Sequence, residues 1–248
     1  MDVGNIPFLS WLLAGLGAFL LGVGKSGIKG IAVFIVVLFV YAFGARTSTG
    51  IVMPLLIVGD IFAIVYYNKH ANWSYVFRII PWMLIGVVLA TYGGTFFNEE
   101  AFTLSMALLI LVTTGLMGYW EIRPLSQVPS HWSFAGSLGI LAGFTTMIGN
   151  LAGAVINIYF LVLRLPKNIF IGTTAYVFFL INVFKVPFHV WVWETIQWES
   201  LQISLYLIPV ELLGLLFGVR WVKYIPDTNY RRLILILTGL GSLALFFK

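Results

Sequence analysis

Ten apolar segments follow one another along the sequence, with only short polar stretches between them. We place them at 6–23, 28–44, 47–67, 75–97, 101–119, 132–148, 151–164, 168–190, 199–221 and 230–247. A helix needs about 20 apolar residues to cross the hydrocarbon core of a bilayer. Several segments have this length, whereas 28–44 and 151–164 are shorter. The pattern predicts an all-α integral membrane protein with about eight to ten membrane segments, some of them short broken or re-entrant helices.

The composition agrees with this fold class. Only 9% of the residues are charged and 60% are hydrophobic, whereas a soluble domain carries about 25% charged residues. The net charge of +5 is assigned to basic cytoplasmic loops rather than to nucleic-acid binding. The chain has no cysteine, which excludes thiolate metal sites and cysteine nucleophiles. No acid–base pair, metal-ligand spacing or nucleophile motif stands out, so we expect neither an enzyme nor a bound cofactor or metal.

The two halves of the sequence resemble each other. The matched positions, at offsets of 121 and then 128, are Gly22 with Gly143, Lys29 with Asn150, Arg46 with Lys167, and Gly86 with Gly214. Each half has five segments, and the shortest one is second. An odd number of crossings places the second half upside down, which gives the inverted repeat common in secondary transporters. We therefore expect a first repeat at 1–120, a cytoplasmic linker at 121–131 and a second repeat at 132–248.

The distribution of basic residues predicts the orientation. With ten crossings, eleven Lys and Arg residues fall on one side of the membrane and three on the other. Because cytoplasmic loops are enriched in Lys and Arg, the side with eleven is predicted to be cytoplasmic. Both termini are then extracytoplasmic, in a multi-pass protein of the cell (inner) membrane.

Several polar residues lie inside apolar segments, where a charge costs between ~3 and more than 10 kcal/mol unless it faces a partner or a cavity. Asp60 and Glu211 are candidates for coupling a proton or cation, although Asp60 also suits a structural pairing with a buried Lys or Arg. Asn182, Lys185 and His189 are spaced i, i+3, i+7 and share one helical face. Lys185 is deep enough to attract an internal carboxylate or an anionic substrate.

The stretch "GVGKSGIKG" begins at Gly22, and its counterpart "MIGNLAGA" begins at Met147. Gly24-Lys25-Ser26 resembles the end of a phosphate loop, but the glycine that this motif needs five residues earlier is Phe19. Each stretch instead predicts a small-residue break before a short helix. The start of a helix offers free N–H groups and the positive end of its dipole to an anion.

These breaks predict a binding site for a small oxyanion near the midplane. The residues expected to line it are Gly24, Lys25, Ser26, Lys29 and Asn150. The alternative is that the glycines serve helix packing alone and the lysines extend toward the membrane surface.

With these residues identified, the chain resembles the sulfite exporter TauE/SafE family of membrane anion transporters. The resemblance is carried by "GVGKSGIKG", "STGIVMPLLIVGDIFAIVYYNKHANW", "GNLAGAVINIYFLVLRLPKNIFIGTTAYVFFLINVFKVPFH" and "LIPVELLGLLFG". It implies two homologous halves and transport of sulfite, organosulfonates or related small anions. Carried over residue by residue, it adds Lys167, Thr173, Thr174, Asn182 and Lys185 to the candidate site.

We therefore expect a secondary transporter that exports a small sulfur-containing oxyanion such as sulfite or an organosulfonate. Arg46 and Lys167 are expected at the two entrances, unless they only anchor helix ends. A passive anion channel would use the same lysines without Asp60 or Glu211. A cation or metal transporter would bind through Asp60, Glu211, His189 and Asn182. The expected partners are the small anion and the lipid bilayer, without nucleic acid; the sequence leaves the oligomeric state open.

Overall fold

The described part of the protein is built from helices. The computed structural model describes residues 3–122, 132–163, 165–226, 229–230, 232–234 and 236, and these residues contain no β-strand. The helices are α1 (Phe8–Lys25), α2 (Ala32–Phe43), α3 (Ala45–Tyr67), α4 (Trp73–Gly94), α5 (Glu99–Ile122), α6 (Trp132–Gly149), α7 (Ala152–Val162), α8 (Lys167–Trp191) and α9 (Trp198–Lys223). Short 3₁₀ turns occupy Val3–Asn5 and Asn68–His70. The prediction of an all-α fold is confirmed.

Six helices of the described chain are long and apolar enough to cross a membrane, namely α1, α3, α4, α6, α8 and α9. In contrast, α2 and α7 have 12 and 11 residues. These lengths correspond to about 18 Å and 17 Å of helix, against about 30 Å of hydrocarbon. Neither short helix can cross alone, as the short segments of the sequence indicate. The segment expected at 230–247 lies almost entirely outside the described residues.

Glycine and asparagine interrupt the chain before each short helix. Between α1 and α2, Gly27 and Gly30 have φ values of +125° and +101°, and before α7 Asn150 has φ +56°. Glycine adopts positive φ without the steric cost of a β-carbon, and asparagine tolerates it better than most residues. After the first break, α2 runs back along α1, since Gly17 lies against Phe39 while Gly24 lies against Ile31. The break therefore turns the chain into a helical hairpin.

Close glycine contacts join α1 to α9 and α4 to α6. A β-carbon added at Gly22 of α1 would collide with the carbonyl oxygen of Glu211 in α9, and one at Gly214 would collide with that of Phe19. In the other pair, β-carbons at Gly143 and Gly86 would collide with the carbonyl oxygens of Met83 and Ile140, respectively. Backbones approach this closely only through small residues, as is typical of membrane helix interfaces. Both pairs run antiparallel, because the contact positions rise on one helix as they fall on the other.

The central pair, α3 and α8, is also antiparallel. Near the start of α3, Gly50 lies against the carbonyl of Thr195, just beyond α8. Near the start of α8, Gly172 lies against the carbonyl of Tyr67, at the end of α3. Between these two contacts the side chains of Asp60 and Asn182 meet. The polar residues of α3 and α8 therefore lie near the middle of the crossing, away from both helix ends.

Candidate functional site

A partly open cavity lies where the two short helices begin. It has a volume of about 90 Å³ and is lined by residues of α1, α2, α3, α6, α7 and α8 and by both breaks. One water needs only about 10–15 Å³ of such space, so the cavity has room for a small ion or several waters. Its walls include Gly24, Lys25, Lys29, Asn150 and Asn182. The structure thus places five of the sequence-predicted binding residues around one space.

The first turns of α2 and α7 meet at this cavity. A β-carbon added at Gly153 would lie 3.7 Å from Cβ of Ala32, and both residues line the cavity. The first four N–H groups of a helix have no partner within that helix, and the residues that precede α2 and α7 provide no side-chain cap. Two positive helix ends therefore converge on the same space.

Lys25, at the end of α1, is paired with a carboxylate. Its Nζ lies 2.5 Å from Oδ1 of the fully buried Asp60. Asn182 Nδ2 donates to the other carboxylate oxygen over 2.7 Å. Both oxygens of Asp60 are thus engaged, which removes much of the cost of burying them. The structural pairing considered for Asp60 from the sequence is present.

Lys185, on α8, is buried among neutral oxygens. Its Nζ donates to Asn150 Oδ1 over 2.7 Å, to Thr146 Oγ1 over 3.2 Å and to Asn182 Oδ1 over 3.4 Å. Asn150 in turn donates to the carbonyl of Thr49 over 3.5 Å. These contacts satisfy the three donors of the ammonium group without supplying a negative charge. Asn182 connects Lys185 to Asp60, so the two charged groups belong to one network.

The side chain of Lys29, in the first break, makes no hydrogen bond and no salt bridge to the described part of the chain. Only 8% of its surface is exposed. Its Nζ lies 5.6 Å from the centre of the Phe178 ring, and Lys25 Nζ lies 5.0 Å from the same ring. A cation over an aromatic face is stabilised only modestly. Lys25 and Lys29 thus line the cavity, and Lys185 bonds to Asn150 and Asn182 in its wall. The neighbouring carboxylate of Asp60 is already engaged, which leaves the amino group of Lys29 unpaired.

Glu211, on α9, lies beside this cluster, but its carboxylate makes no hydrogen bond to the described residues. It is fully buried, and neither carboxylate oxygen has a hydrogen-bond partner in the described structure. A β-carbon added at Gly59 would lie 2.7 Å from Oε1 of Glu211 and 2.7 Å from Cγ of Lys25. Glu211 and the stem of Lys25 therefore converge over Gly59, next to Asp60. The structure brings both predicted coupling residues to the same lysine.

Three predicted binding residues point elsewhere. Ser26 Oγ donates to the carbonyl of Val23 over 2.7 Å, and Thr174 Oγ1 donates to that of Ile171 over 3.0 Å. Thr173 Oγ1 accepts from the backbone N–H of Asn72 over 3.0 Å. None of the three lines the cavity. Their hydroxyls satisfy nearby backbone groups, which is the common role of such residues inside apolar helices.

Arg46 and Lys167, at the starts of α3 and α8, also lie away from the cavity. Arg46 donates to the carbonyl of Phe97 over 3.3 Å, and its backbone N–H donates to Glu99 over 3.2 Å. Lys167 donates to two carbonyls at the end of α9, at 3.3 Å and 2.6 Å. A lysine at this position satisfies free carbonyls and complements the negative end of the helix dipole. Both contacts fit the anchoring of helix ends, the alternative considered for these residues.

His189 forms a separate buried contact one turn beyond Lys185. Its Nδ1 lies 2.8 Å from Thr195 Oγ1, and its Nε2 has no partner in the described structure. The described residues contain no group of three or more His, Asp and Glu side chains placed to hold a metal. Asn182, which the cation alternative would share with His189, bonds instead to Asp60 and Lys185.

Three polar or aromatic residues of the cavity wall were not predicted from the sequence: Thr146, Asn157 and Phe178. Thr146 matches Lys25 at the repeat offset of 121, a signal that would have found it. Asn157 is an isolated amide in the apolar helix "AGAVINIYFLV", which is also a usable signal. Phe178 is one of 21 phenylalanines, and no local pattern distinguishes it.

Comparison with known proteins identifies the family of the chain. No curated protein and no solved structure matches the chain. The family model described as "Sulfite exporter TauE/SafE" matches residues 8–245, which include every cavity residue named above. The chain is therefore a member of the TauE/SafE family of membrane transporters.

Proposed function

We propose that this protein is a secondary transporter that exports a small sulfur-containing oxyanion, such as sulfite or an organosulfonate. The observation that carries the proposal is Lys29, a buried ammonium group that lines the cavity without a counter-ion in the described structure. A buried charge is costly unless it is paired. An oxyanion at this point would supply the missing charge and accept hydrogen bonds from Lys29 and from the starts of α2 and α7.

The different partners of Lys25, Lys29 and Lys185 support an anionic substrate rather than a cationic one. Asp60 lies behind the cavity wall, where the lining residues Lys25 and Asn182 occupy both of its oxygens. A cation would have to displace Lys25 from Asp60 and would then face Lys29 and Lys185. An anion meets no such competition, because only neutral oxygens surround Lys185. The ammonium groups of Lys29 and Lys185 would repel a bound cation strongly in a low-dielectric interior.

Alternating access between two inverted halves is the mechanism we propose. It rests on a first repeat at 1–120 and a second at 132–248. The matched contacts support it, because Gly22–Glu211 and Gly143–Met83 are related by offsets of 121 and 128, as are Gly214–Phe19 and Gly86–Ile140. An antiparallel pair such as α3 and α8 is exchanged by a two-fold axis perpendicular to both helices. Such an axis lies in the membrane plane and is typical of inverted-repeat transporters.

Glu211 is the residue we propose for proton coupling. Both of its oxygens are without partners, so a proton can bind there without breaking an existing contact. Its position beside Lys25 connects that proton to the Lys25–Asp60 pair. In reconstituted vesicles, Glu211→Gln should retain anion binding but lose substrate-dependent proton movement, measured with a pH-sensitive dye. Proton movement that persists in this variant would exclude Glu211 as the coupling group.

Binding to the purified protein tests the proposed substrate class. The probes are sulfite, thiosulfate, sulfate, taurine and divalent metal ions, each measured by the rise in apparent Tm that a ligand of the folded state produces. We expect a rise with a sulfur oxyanion that is lost in Lys29→Ala. The matched control is Lys69→Ala, which removes an exposed lysine of the turn between α3 and α4. Stabilisation by metals alone would refute the proposal.

Transport distinguishes the remaining alternative, a passive channel. A carrier exchanges labelled substrate faster when unlabelled substrate is present on the opposite side, and a channel does not. We expect this acceleration in vesicles containing the wild-type protein. Simple uncoupled flux, unaffected by Glu211→Gln, would favour the channel.

A further inference from the structure

Asn157 is a buried amide whose role the contacts within the protein leave unexplained. It lies on α7, only 2% of its surface is exposed, and it lines the cavity. Its Oδ1 has no hydrogen-bond partner, and its side chain makes no hydrogen bond to the described residues. Buried side-chain amides are normally bonded to protein or to ordered water. An amide that lines a cavity without a protein partner is available to whatever occupies that cavity.

The surroundings of Asn157 differ from those of the lysines. At the repeat offset of 121, its counterpart on α2 is Val36, which lines the same cavity. Other residues of α2 and α3 that contribute to the wall are aliphatic, including Ile35, Val52 and Leu56. The cavity therefore has a cationic end, formed by the breaks and the lysines, and a mainly apolar remainder that contains one amide. Helix packing alone would be satisfied by an aliphatic residue at both matched positions.

The distance along α7 separates these two ends. Asn157 is five residues after Ala152, the first residue of α7, which corresponds to about 7.5 Å along the helix axis. An inorganic oxyanion that accepts hydrogen bonds at the helix starts has no further group to place beside Asn157. A longer anion with a short carbon body has one, and that body would lie against the aliphatic wall.

We propose that Asn157 is a specificity-determining residue that hydrogen-bonds a second polar group on the substrate. The substrate class is an organic oxyanion, a sulfonate in the first instance, whose short apolar body carries a hydroxyl or similar group. This inference rests on the proposed function, since it assumes that the oxyanion binds at Lys29. It assigns a binding partner to the part of the substrate that the lysines do not contact.

The test compares two sulfonates that differ by one hydroxyl group, ethanesulfonate and hydroxyethanesulfonate. Their affinities are measured by titration calorimetry on the purified full-length protein and on Asn157→Leu, which replaces the amide by an aliphatic side chain of similar size. One added hydrogen bond is worth up to roughly tenfold in affinity. We expect the wild-type protein to bind hydroxyethanesulfonate several-fold more tightly than ethanesulfonate. Asn157→Leu should lose this preference and bind the two sulfonates with equal affinity.

The outcomes separate the inference from the proposed function. Equal binding of both sulfonates by the wild-type protein, or a preference that survives in Asn157→Leu, would overturn the role of Asn157 and leave the anion site standing. Binding of sulfite but of neither sulfonate would also overturn it. Binding of no anion at all would overturn both. If Asn157→Leu cannot be purified in a folded form, the wild-type preference alone decides, because its absence refutes the proposal.

Discussion

Neutralising Asp60 should destabilise the protein and make it more responsive to anions. In Asp60→Asn, Lys25 loses its counter-ion and remains buried near Lys29 and Lys185. Breaking a buried ion pair by removing one partner costs about 3–5 kcal/mol. At about 2–4 °C per kcal/mol for a chain of this size, the apparent Tm should fall by about 6–20 °C. A substrate anion would then supply the missing charge, so the ligand-induced rise in Tm should be larger in Asp60→Asn than in the wild type.

A double variant supplies the control for this prediction. Replacing both partners, in Lys25→Met with Asp60→Leu, removes the charge pair and leaves apolar side chains of similar bulk. Such replacements are often neutral or stabilising by about 1–4 kcal/mol, so the double variant should recover most of the lost stability. The assay is thermal unfolding in detergent, with and without anion. The reasoning is refuted if Asp60→Asn is as stable as the wild type, or if the double variant is less stable than Asp60→Asn.

Two further predictions follow from packing and orientation. Gly86→Ala should lower stability by about 1–3 kcal/mol, because its β-carbon would collide with the carbonyl of Ile140. The control Gly93→Ala has open space around the added β-carbon and should leave thermal stability unchanged or slightly raised. Equal effects of the two substitutions would contradict the described α4–α6 contact. Because the chain has no cysteine, single cysteines can report topology. Lys69→Cys should react with an impermeant thiol reagent only from the cytoplasmic side and Glu100→Cys only from the other, and the reverse pattern would contradict the proposed orientation.

Much of the fold follows from the hydropathy pattern because the bilayer restricts the choices. Nine of the ten predicted segments correspond to α1–α9, and the short segments became the short helices α2 and α7. Backbone groups in hydrocarbon must be satisfied internally, so apolar segments of this length form helices whatever their packing. The breaks were predictable as well, because glycine or asparagine at positive φ precedes each short helix. The tenth segment lies almost entirely outside the described residues.

The candidate site was less predictable, because its contacts depend on how separate helices approach one another. The sequence identified Lys25, Lys29 and Asp60 as unusual but could not show which lysine pairs with the carboxylate. Spacing along one helix grouped Asn182 with Lys185, and the structure joins them to Asn150 across two elements. Hydroxyl residues were the weakest predictions, since Ser26 and Thr174 bond to carbonyls of their own chain segment. Such local bonds leave no signal in the sequence that separates them from a ligand contact.

The most direct test of the account is whether the transport of a sulfur oxyanion depends on Lys29. Proteoliposomes containing the wild-type protein, Lys29→Ala or the control Lys69→Ala would be loaded with labelled sulfite or a labelled sulfonate, and the exchange rate measured. The account predicts exchange by the wild type and by Lys69→Ala, and its loss in folded Lys29→Ala. Undiminished exchange in Lys29→Ala would contradict the claim that the unpaired ammonium group of this cavity binds the transported anion.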